Sequence, residues 1–299
     1  MAVTTPQFVR IVEVGPRDGL QNISEWIPTA TKLNLINRLE LSGLRTIELT
    51  SVVSHRAVPQ MADATQLLQD AHVQKLLANS NFRLPVLVPN LRGLDIARAH
   101  GVKEIAVFIS ATEGFSQANI NCTCAEAVRR VGKVVAEARR FGIAVRGYIS
   151  CIFADPYDGP TKPSSVLGRV QDLLDMGCYE VSLGDTLGTG NPTAVRGLLE
   201  YLQHHGIPMT RIAGHFHDTY KKALANSWAA YECGVRTFDT SVGGLGGCPF
   251  VPEAGGNLAT ERLVASFENA GVTTGIKQEA LEETAAWVRN ALIASSTTY

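Results

Sequence analysis

Short apolar segments alternate with helical patterns along almost the whole chain, and this alternation limits the possible folds more than any other feature. The first segment, Phe8–Val14, is rich in β-branched residues and stops at Gly15-Pro16, as a buried strand does. The other predicted strands are Thr46–Thr50, Leu84–Val88, Glu104–Ile109, Ala144–Ile149, Tyr179–Leu183, the segment from Arg211 that carries two histidines, and Thr237–Ser241. Eight strands, each followed by a helix or helix candidate, predict an α/β fold in which a parallel sheet closes into a TIM barrel.

Helical patterns occupy most of the intervals between these strands. They begin at Pro28 and Thr29 and recur at Leu91–His100, in a long helix ending at Phe141, and at Ser164–Met176, Pro192–His204 and Lys221–Cys233. Arg17–Asn22 and Asn119–Thr123 are interpreted as loops. A Gly-rich loop, Gly243–Gly256, leads into two extra C-terminal helices from about residue 258.

No linker or change of composition interrupts this pattern, so we predict a single catalytic domain over residues 1–299. The alternative is a doubly wound open sheet. The first strand lacks the Gly-x-Gly-x-x-Gly turn that is typical of the dinucleotide-binding version of that fold.

The bulk composition excludes several classes of protein. With 45% hydrophobic and 18% charged residues, the chain is too apolar to be largely disordered. Its 27 basic and 28 acidic residues are spread without a basic cluster, so we expect no nucleic-acid or membrane partner. Its six cysteines lack the Cys-x-x-Cys spacing of a zinc or redox site, and without a secretory signal we expect them to be reduced thiols in a cytoplasmic protein.

The segment Gly214-His215-Phe216-His217-Asp218 is the strongest local indication of chemistry. Residues i and i+2 of a strand project from the same face, so both imidazoles would point the same way. The segment ends a predicted strand, and TIM barrels carry their active sites at that end. From this motif alone, a metal site and a hydrogen-bonded polar strand end remain equally open.

Further polar side chains follow the other predicted strands and would meet the histidines at one mouth of a barrel. These candidates are Arg17, Asp18, Glu48, Tyr148, Asp185, Cys248 and Asn257. Each has a structural alternative: Asp18 and Asp185 could cap turns, Glu48 could pair with a basic neighbour, and Cys248 could be buried as a small apolar residue.

As a set, a carboxylate, two imidazoles and an amide oxygen suit a divalent cation. We predict Asp18, His215, His217 and Asn257 as ligands of Mg²⁺ or Mn²⁺, with Zn²⁺ less favoured. Such a cation would polarise a substrate oxygen, and Arg17 could stabilise a developing oxyanion. These parts suit the making or breaking of a carbon–carbon bond beside a carbonyl.

Seven motifs in order along the chain resemble the 3-hydroxy-3-methylglutaryl-CoA lyase family. They are Val12–Asn22, Val58–Met61, Asn119–Cys122, Arg146–Cys151, Ser182–Thr186, His215–Thr219 and Gly244–Pro249. The Arg17-Asp18-Gly19 motif and the histidine pair alone would also fit the wider superfamily of metal-dependent barrels, which includes Claisen-type synthases. The Gly-Leu-Gly-Gly-Cys-Pro segment favours the lyase.

The resemblance implies roles for individual residues. Asp18, His215, His217 and Asn257 would ligate the cation, Arg17 would steady the enolate of departing acetyl-CoA, and Cys248 would take part in proton transfer. Glu48 and Asp185 would support the site. We count Arg17, Asp18, Glu48, Asp185, His215 and Cys248 as catalytic, and Arg17, Tyr148, Gly246 and Gly247 as substrate-binding.

The implied reaction is the retro-Claisen cleavage of an acyl-CoA substrate, 3-hydroxy-3-methylglutaryl-CoA or a close 3-alkyl relative, to acetyl-CoA and acetoacetate or a related 3-oxoacid. The alternatives are a Claisen-type synthase on the same site and a catalytically idle barrel. Three segments depart from the family pattern and leave the alkyl group open: Asn22–Glu25, Ser54–Ala57 and Phe153–Tyr157. The C-terminal helices, with Leu281, Trp287, Leu292 and Ile293, could supply the interface of a homodimer or could cap the barrel.

Overall fold

The computed structural model describes residues 8–247 and 256–296. Its strands are β1 Arg10–Glu13, β2 Thr46–Ile47, β3 Thr50–Ser51, β4 Val86–Leu87, β5 Glu104–Ser110, β6 Ala144–Ser150, β7 Ala154–Asp155, β8 Gly159–Pro160, β9 Glu180–Asp185, β10 Ile212–Phe216 and β11 Thr237–Thr240. Its α-helices are α1 Thr29–Leu41, α2 Ala64–Gln69, α3 Ala71–Ala78, α4 Leu91–Ala99, α5 Glu113–Ile120, α6 Cys124–Arg140, α7 Pro163–Met176, α8 Pro192–His204, α9 Ala223–Glu232, α10 Thr260–Asn269 and α11 Gln278–Ser296.

Nine of the strands form one parallel sheet in the order β2-β1-β11-β10-β9-β6-β5-β4-β3. The strands at the two ends of this order are consecutive in the chain, separated only by Glu48 and Leu49. The Ile47 amide donates to the Arg83 carbonyl at 3.0 Å, and the Leu49 amide donates to the Pro85 carbonyl at 3.0 Å. The sheet therefore curls until its ends meet, and the α/β class and parallel pairing predicted from the alternation are confirmed.

The helices cover the outside of this sheet with apolar stripes. In α6 the buried side chains include Ala127, Val131, Val134, Val135 and Ala138. They recur every three or four residues because one face of a helix has that period. Among the described residues, no helix is both long and apolar enough to cross a membrane.

Several elements differ from the sequence predictions. The strand predicted at Thr46–Thr50 is interrupted, since β2 pairs with β1 whereas β3 pairs with β4. The strand predicted at Leu84–Val88 has only two residues, because Pro85 and Pro89 flank it and proline has no N–H for the ladder.

Five further elements were not predicted. Helices α2 and α3 lie where no helix was expected, and α5 extends into the predicted Asn119–Thr123 loop before ending at left-handed Asn121. The hairpin of β7 and β8 also had no counterpart in the analysis.

A buried network of charges occupies the interior of the curled sheet. Arg146 of β6 is fully buried, with its Nη2 atom 2.6 Å from Asp239 Oδ1 and its Nε atom 2.8 Å from Glu180 Oε1. Glu180 also pairs with Arg10, and Ser182 donates to Asp239 at 2.6 Å. Ion pairs and hydrogen bonds thus hold these buried charges in place.

We expect Arg146→Ala to destabilise the protein by about 3–5 kcal/mol, because it leaves the buried carboxylate of Asp239 without its cation. Urea unfolding monitored by circular dichroism measures this change. Glu126→Ala is the matched control, since it removes ion pairs with Arg129 and Arg130 on the exposed face of α6. An equal and small effect of both substitutions would contradict the expectation.

Candidate active site

A single turn of π-helix, Gly15–Gly19, places Arg17 and Asp18 directly after β1. The Val14 carbonyl accepts hydrogen bonds from the amides of Arg17, Asp18 and Gly19 at 2.7–3.1 Å. Gly19 has to be glycine here, because a Cβ atom would lie 2.5 Å from the Ser241 hydroxyl. The segment predicted as a loop is thus a tight, packed turn at the carboxyl end of the sheet.

The two histidines lie beside Asp18. His215 is in β10, and His217 follows the strand. Their Nε2 atoms are 3.2 Å apart, and His215 Nε2 is 3.9 Å from Asp18 Oδ2. Each of the three residues offers one ligand atom, and these atoms all lie within 4.8 Å of one another, which is compact enough to hold a metal ion.

Asn257 completes the group of predicted ligands. It forms a β-bridge with His217, and its Nδ2 atom donates to Asp18 Oδ2 at 2.8 Å and to the Leu245 carbonyl at 3.1 Å. Its Oδ1 atom is buried and has no hydrogen-bond partner among the described residues. Because buried polar atoms are normally paired, an unpaired amide oxygen beside a carboxylate and two imidazoles fits a hard divalent cation.

The electrostatics put Asp18 and His217 in binding forms at neutral pH, whereas the pKa of His215 is raised, because its contacts with Asp239 and Asp18 outweigh the effect of burial. Burial opposes the ionisation of Asp18, but Arg17 and the two imidazoles lower its pKa to about 2. Burial and neighbouring His215 lower the pKa of His217 to about 4. Asp18 is therefore an anion and His217 is neutral, and metal ligands must be deprotonated.

Arg17 links the metal group to two other predicted residues. Its Nε atom donates to Glu48 Oε2 at 2.8 Å, and its Nη1 atom pairs with Asp18. The Tyr148 hydroxyl donates to the same Glu48 oxygen at 3.1 Å. Burial raises the pKa of Glu48, although Arg17 opposes the rise.

The remaining predicted residues are Asp185, which ends β9, and three residues of the Gly-rich segment. Asp185 accepts hydrogen bonds from the amides of Thr189 at 3.1 Å and Gly190 at 2.9 Å, so it holds the loop after β9, as its structural alternative proposed. Burial raises its pKa to about 6.

In the Gly-rich segment, a Cβ atom on Gly246 would lie 2.6 Å from Asn257 Nδ2, and the Gly247 carbonyl accepts a hydrogen bond from the Asn22 side chain at 2.9 Å. Cys248 lies outside the described residues.

Two residues near the site were missed by the sequence analysis. Asp239 of β11 lies with its Oδ2 atom 3.3 Å from His215 Nδ1, which orients the imidazole so that Nε2 faces His217 and Asp18. Gln21 donates to Asp18 Oδ1 at 2.8 Å. A carboxylate inside the predicted strand Thr237–Ser241 is a signal that could have identified Asp239.

The chain is similar to known proteins over nearly its whole length. Residues 8–288 match the family model described as HMGL-like. The chain belongs to this family. It is 45% identical over 289 residues to a protein of Bos taurus named hydroxymethylglutaryl-CoA lyase, mitochondrial, with 97% of this chain and 87% of the relative covered.

Two further relatives extend the comparison. A Rattus norvegicus protein named 3-hydroxy-3-methylglutaryl-CoA lyase, cytoplasmic, is 47% identical over 271 residues, covering 91% of this chain and 77% of the relative. The solved structure of an HMG-CoA lyase from Acinetobacter baumannii, in complex with coenzyme A and 3-methylmalate, superposes with a TM-score of 0.89 at 32% identity. It covers 97% of this chain and 93% of that chain.

We expect His217→Ala to lose the divalent metal that the wild-type protein retains after gel filtration, because it removes one of the four predicted ligands. Elemental analysis of purified protein measures the metal content. His204→Ala, at the exposed end of α8, is the control and should retain the metal. Equal metal content in all three proteins would remove His217 from the ligand set.

Proposed function

We propose that this protein is a divalent-metal-dependent carbon–carbon lyase that cleaves 3-hydroxy-3-methylglutaryl-CoA to acetyl-CoA and acetoacetate. The observation that carries the proposal is the group of Asp18, His215 and His217 at the carboxyl end of the sheet in a member of the HMGL-like family. The relatives described above are named lyases, which favours cleavage over the condensation of a Claisen-type synthase.

In the proposed reaction, the C3 hydroxyl of the substrate gives up its proton and the C2–C3 bond breaks. The electron pair of that bond stays on C2, so acetyl-CoA leaves as an enolate while C3 becomes the ketone of acetoacetate. Protonation of C2 then completes acetyl-CoA. The residues of the site must therefore lower the pKa of a hydroxyl and stabilise an enolate.

We assign the first task to the residues that would hold the cation. Asp18, His215, His217 and the unpaired Oδ1 atom of Asn257 are the proposed ligands. When bound, Mg²⁺ or Mn²⁺ would supply Lewis-acid polarisation of the hydroxyl oxygen and lower its pKa. Asp239 would support this task by fixing the orientation of His215.

We assign the second task to Arg17. Burial opposes its charge, but Glu48 and Asp18 hold the guanidinium in its charged form. A guanidinium carries five N–H donors, so those not used by Glu48 and Asp18 remain for the enolate oxygen. Tyr148 lies against Arg17, with the guanidinium carbon 5.3 Å from the ring centroid, and we propose that both contact the substrate.

Other assignments remain predictions from the family resemblance. Cys248 is proposed to transfer a proton to C2, and Gly246 and Gly247 to contact the substrate. Glu48 is proposed to support Arg17, and Asp185 to support the site through the loop after β9. The CoA-bound relative supports an acyl-CoA substrate.

The finer description of the fold also belongs to the proposal. β2 and β3 are interpreted as two halves of one strand, which would give an eight-stranded barrel in one catalytic domain with C-terminal helical additions. A homodimer and a cytoplasmic location stay predictions. The named relatives include one mitochondrial and one cytoplasmic protein.

We expect the purified protein with Mg²⁺ or Mn²⁺ to convert 3-hydroxy-3-methylglutaryl-CoA to acetyl-CoA and acetoacetate, detected by mass spectrometry of both products. A chelator should abolish turnover. A synthase would instead release free CoA from acetyl-CoA and a 2-oxoacid. Detection of this synthase activity without any lyase activity would contradict the proposal. A panel of 3-hydroxy-3-alkylglutaryl-CoA substrates would define the alkyl group.

We expect Arg17→Gln to lower kcat by about 10²–10³, the loss typical of removing one donor to a developing oxyanion. Steady-state kinetics at saturating metal measure the effect. Arg129→Gln, on the exposed face of α6, is the control and should keep wild-type turnover. Wild-type kcat in Arg17→Gln would exclude Arg17 from stabilising the enolate.

A further inference from the structure

Glu13, the last residue of β1, carries a fully buried carboxylate that takes no part in the reaction proposed above. Its Oε1 atom accepts hydrogen bonds from the amides of Gly15 at 2.8 Å and Val242 at 2.9 Å. Its Oε2 atom accepts from the Thr260 hydroxyl at 2.6 Å. One carboxylate thus joins the turn after β1 to two segments that lie 229 and 247 positions further along the chain.

The three donors lie beside the elements that carry the predicted ligands. Gly15 begins the turn that presents Asp18, Val242 immediately precedes the Gly-rich segment, and Thr260 begins α10, three residues after Asn257. Glu13 packs closely against the backbone of Gly15, since a Cβ atom on Gly15 would lie 2.5 Å from Glu13 Oε1.

The two ends of the Gly-rich segment also bond to each other. The Ser241 amide donates to the Leu258 carbonyl at 3.0 Å, and the Thr260 amide donates to the Ser241 carbonyl at 3.2 Å. Glu13 therefore holds both ends of the Gly-rich segment, which are hydrogen-bonded to each other, against β1. In this arrangement Asn257 Nδ2 donates a hydrogen bond to Asp18 Oδ2 at 2.8 Å.

The charge of Glu13 is not needed for these contacts. No ion pair joins Glu13 to a cation in the described part of the chain, and burial raises its pKa to about 7 although its three donors oppose the rise. A glutamine could accept both amides at Oε1 and donate to the Thr260 hydroxyl oxygen from its amide nitrogen. The hydrogen-bond pattern, rather than the negative charge, is the feature to test.

We propose that Glu13 is a positioning residue that fixes the turn of Asp18 and the segment of Asn257 relative to each other. This inference rests on the proposed function, because it takes Asp18 and Asn257 as ligands of one divalent cation. Glu13 itself contacts neither the cation nor the substrate. Its effect reaches the site through Gly15, Val242 and Thr260.

Mn²⁺ binding to the purified protein, followed by the electron paramagnetic resonance signal of free Mn²⁺, tests the proposal. Glu13→Ala removes all three hydrogen bonds, and Thr260→Val removes one of them without changing the shape of the side chain. We expect both to weaken Mn²⁺ binding by about 10- to 100-fold, the usual cost of losing an outer-shell partner. Glu13→Gln should restore binding close to that of the wild-type protein.

A matched control separates positioning from general destabilisation. Val135→Ala creates a cavity under α6, a helix that contributes no residue to the site, and should leave Mn²⁺ binding unchanged in folded protein. Circular dichroism establishes that each variant is folded, and Thr260→Val keeps the test open if Glu13→Ala does not fold.

The outcomes separate a failure of the proposed function from a failure of the role of Glu13. Wild-type protein that binds no Mn²⁺ would overturn the proposed function. Wild-type protein that binds Mn²⁺ together with unchanged binding by Thr260→Val would overturn only the role of Glu13. Equal losses in Thr260→Val, Glu13→Gln and Val135→Ala would also overturn it, because they would indicate general destabilisation.

Discussion

The buried ion pair of Arg146 and Asp239 connects the interior of the sheet to the candidate active site. Arg146 would be too costly to bury without its carboxylate partners, and the partner on β11 is the residue that also contacts His215. The register places Asp239 opposite His215 between β11 and β10. The same carboxylate therefore stabilises the core and orients a candidate metal ligand, which ties the geometry of the candidate site to the folding of the sheet.

The candidate site is built from segments distant in sequence that meet at one end of the sheet. Asp18 comes from the turn after β1, the histidines come from β10 and its continuation, and Asn257 comes from the segment that bridges His217. Backbone hydrogen bonds at Val14 fix the first of these. In the proposed function, this convergence gives the lyase a cation beside the substrate hydroxyl and Arg17 beside the leaving enolate.

The sequence predicted the parts of the fold that depend on local pattern. Apolar strands and amphipathic helices have recognisable periods, so the α/β class and the parallel sheet followed from them. Helices α2 and α3 have only six and eight residues, too few for the period to be clear. The histidine pair was visible because its two members are neighbours on one strand.

The pattern of a single strand could not predict which residues on other strands it contacts. The pair of Arg146 and Asp239 spans 93 positions, and the contact from Val242 to Glu13 spans 229. A buried charge in an apolar strand indicates that a partner exists, but the partner is fixed only when the strand order is known. The family resemblance supplied roles for Asp18, Asn257 and Arg17, whereas Asp239 and Glu13 needed the three-dimensional arrangement.

The central claim is that Asp18, His215, His217 and Asn257 hold one divalent cation. Anomalous diffraction from crystals grown with Mn²⁺, recorded at the manganese absorption edge, tests it most directly. The account predicts one strong peak within bonding distance of Asp18, of both histidine Nε2 atoms and of Asn257 Oδ1. A peak bound by other residues, or no peak at these four side chains when Mn²⁺ supports turnover, would contradict it.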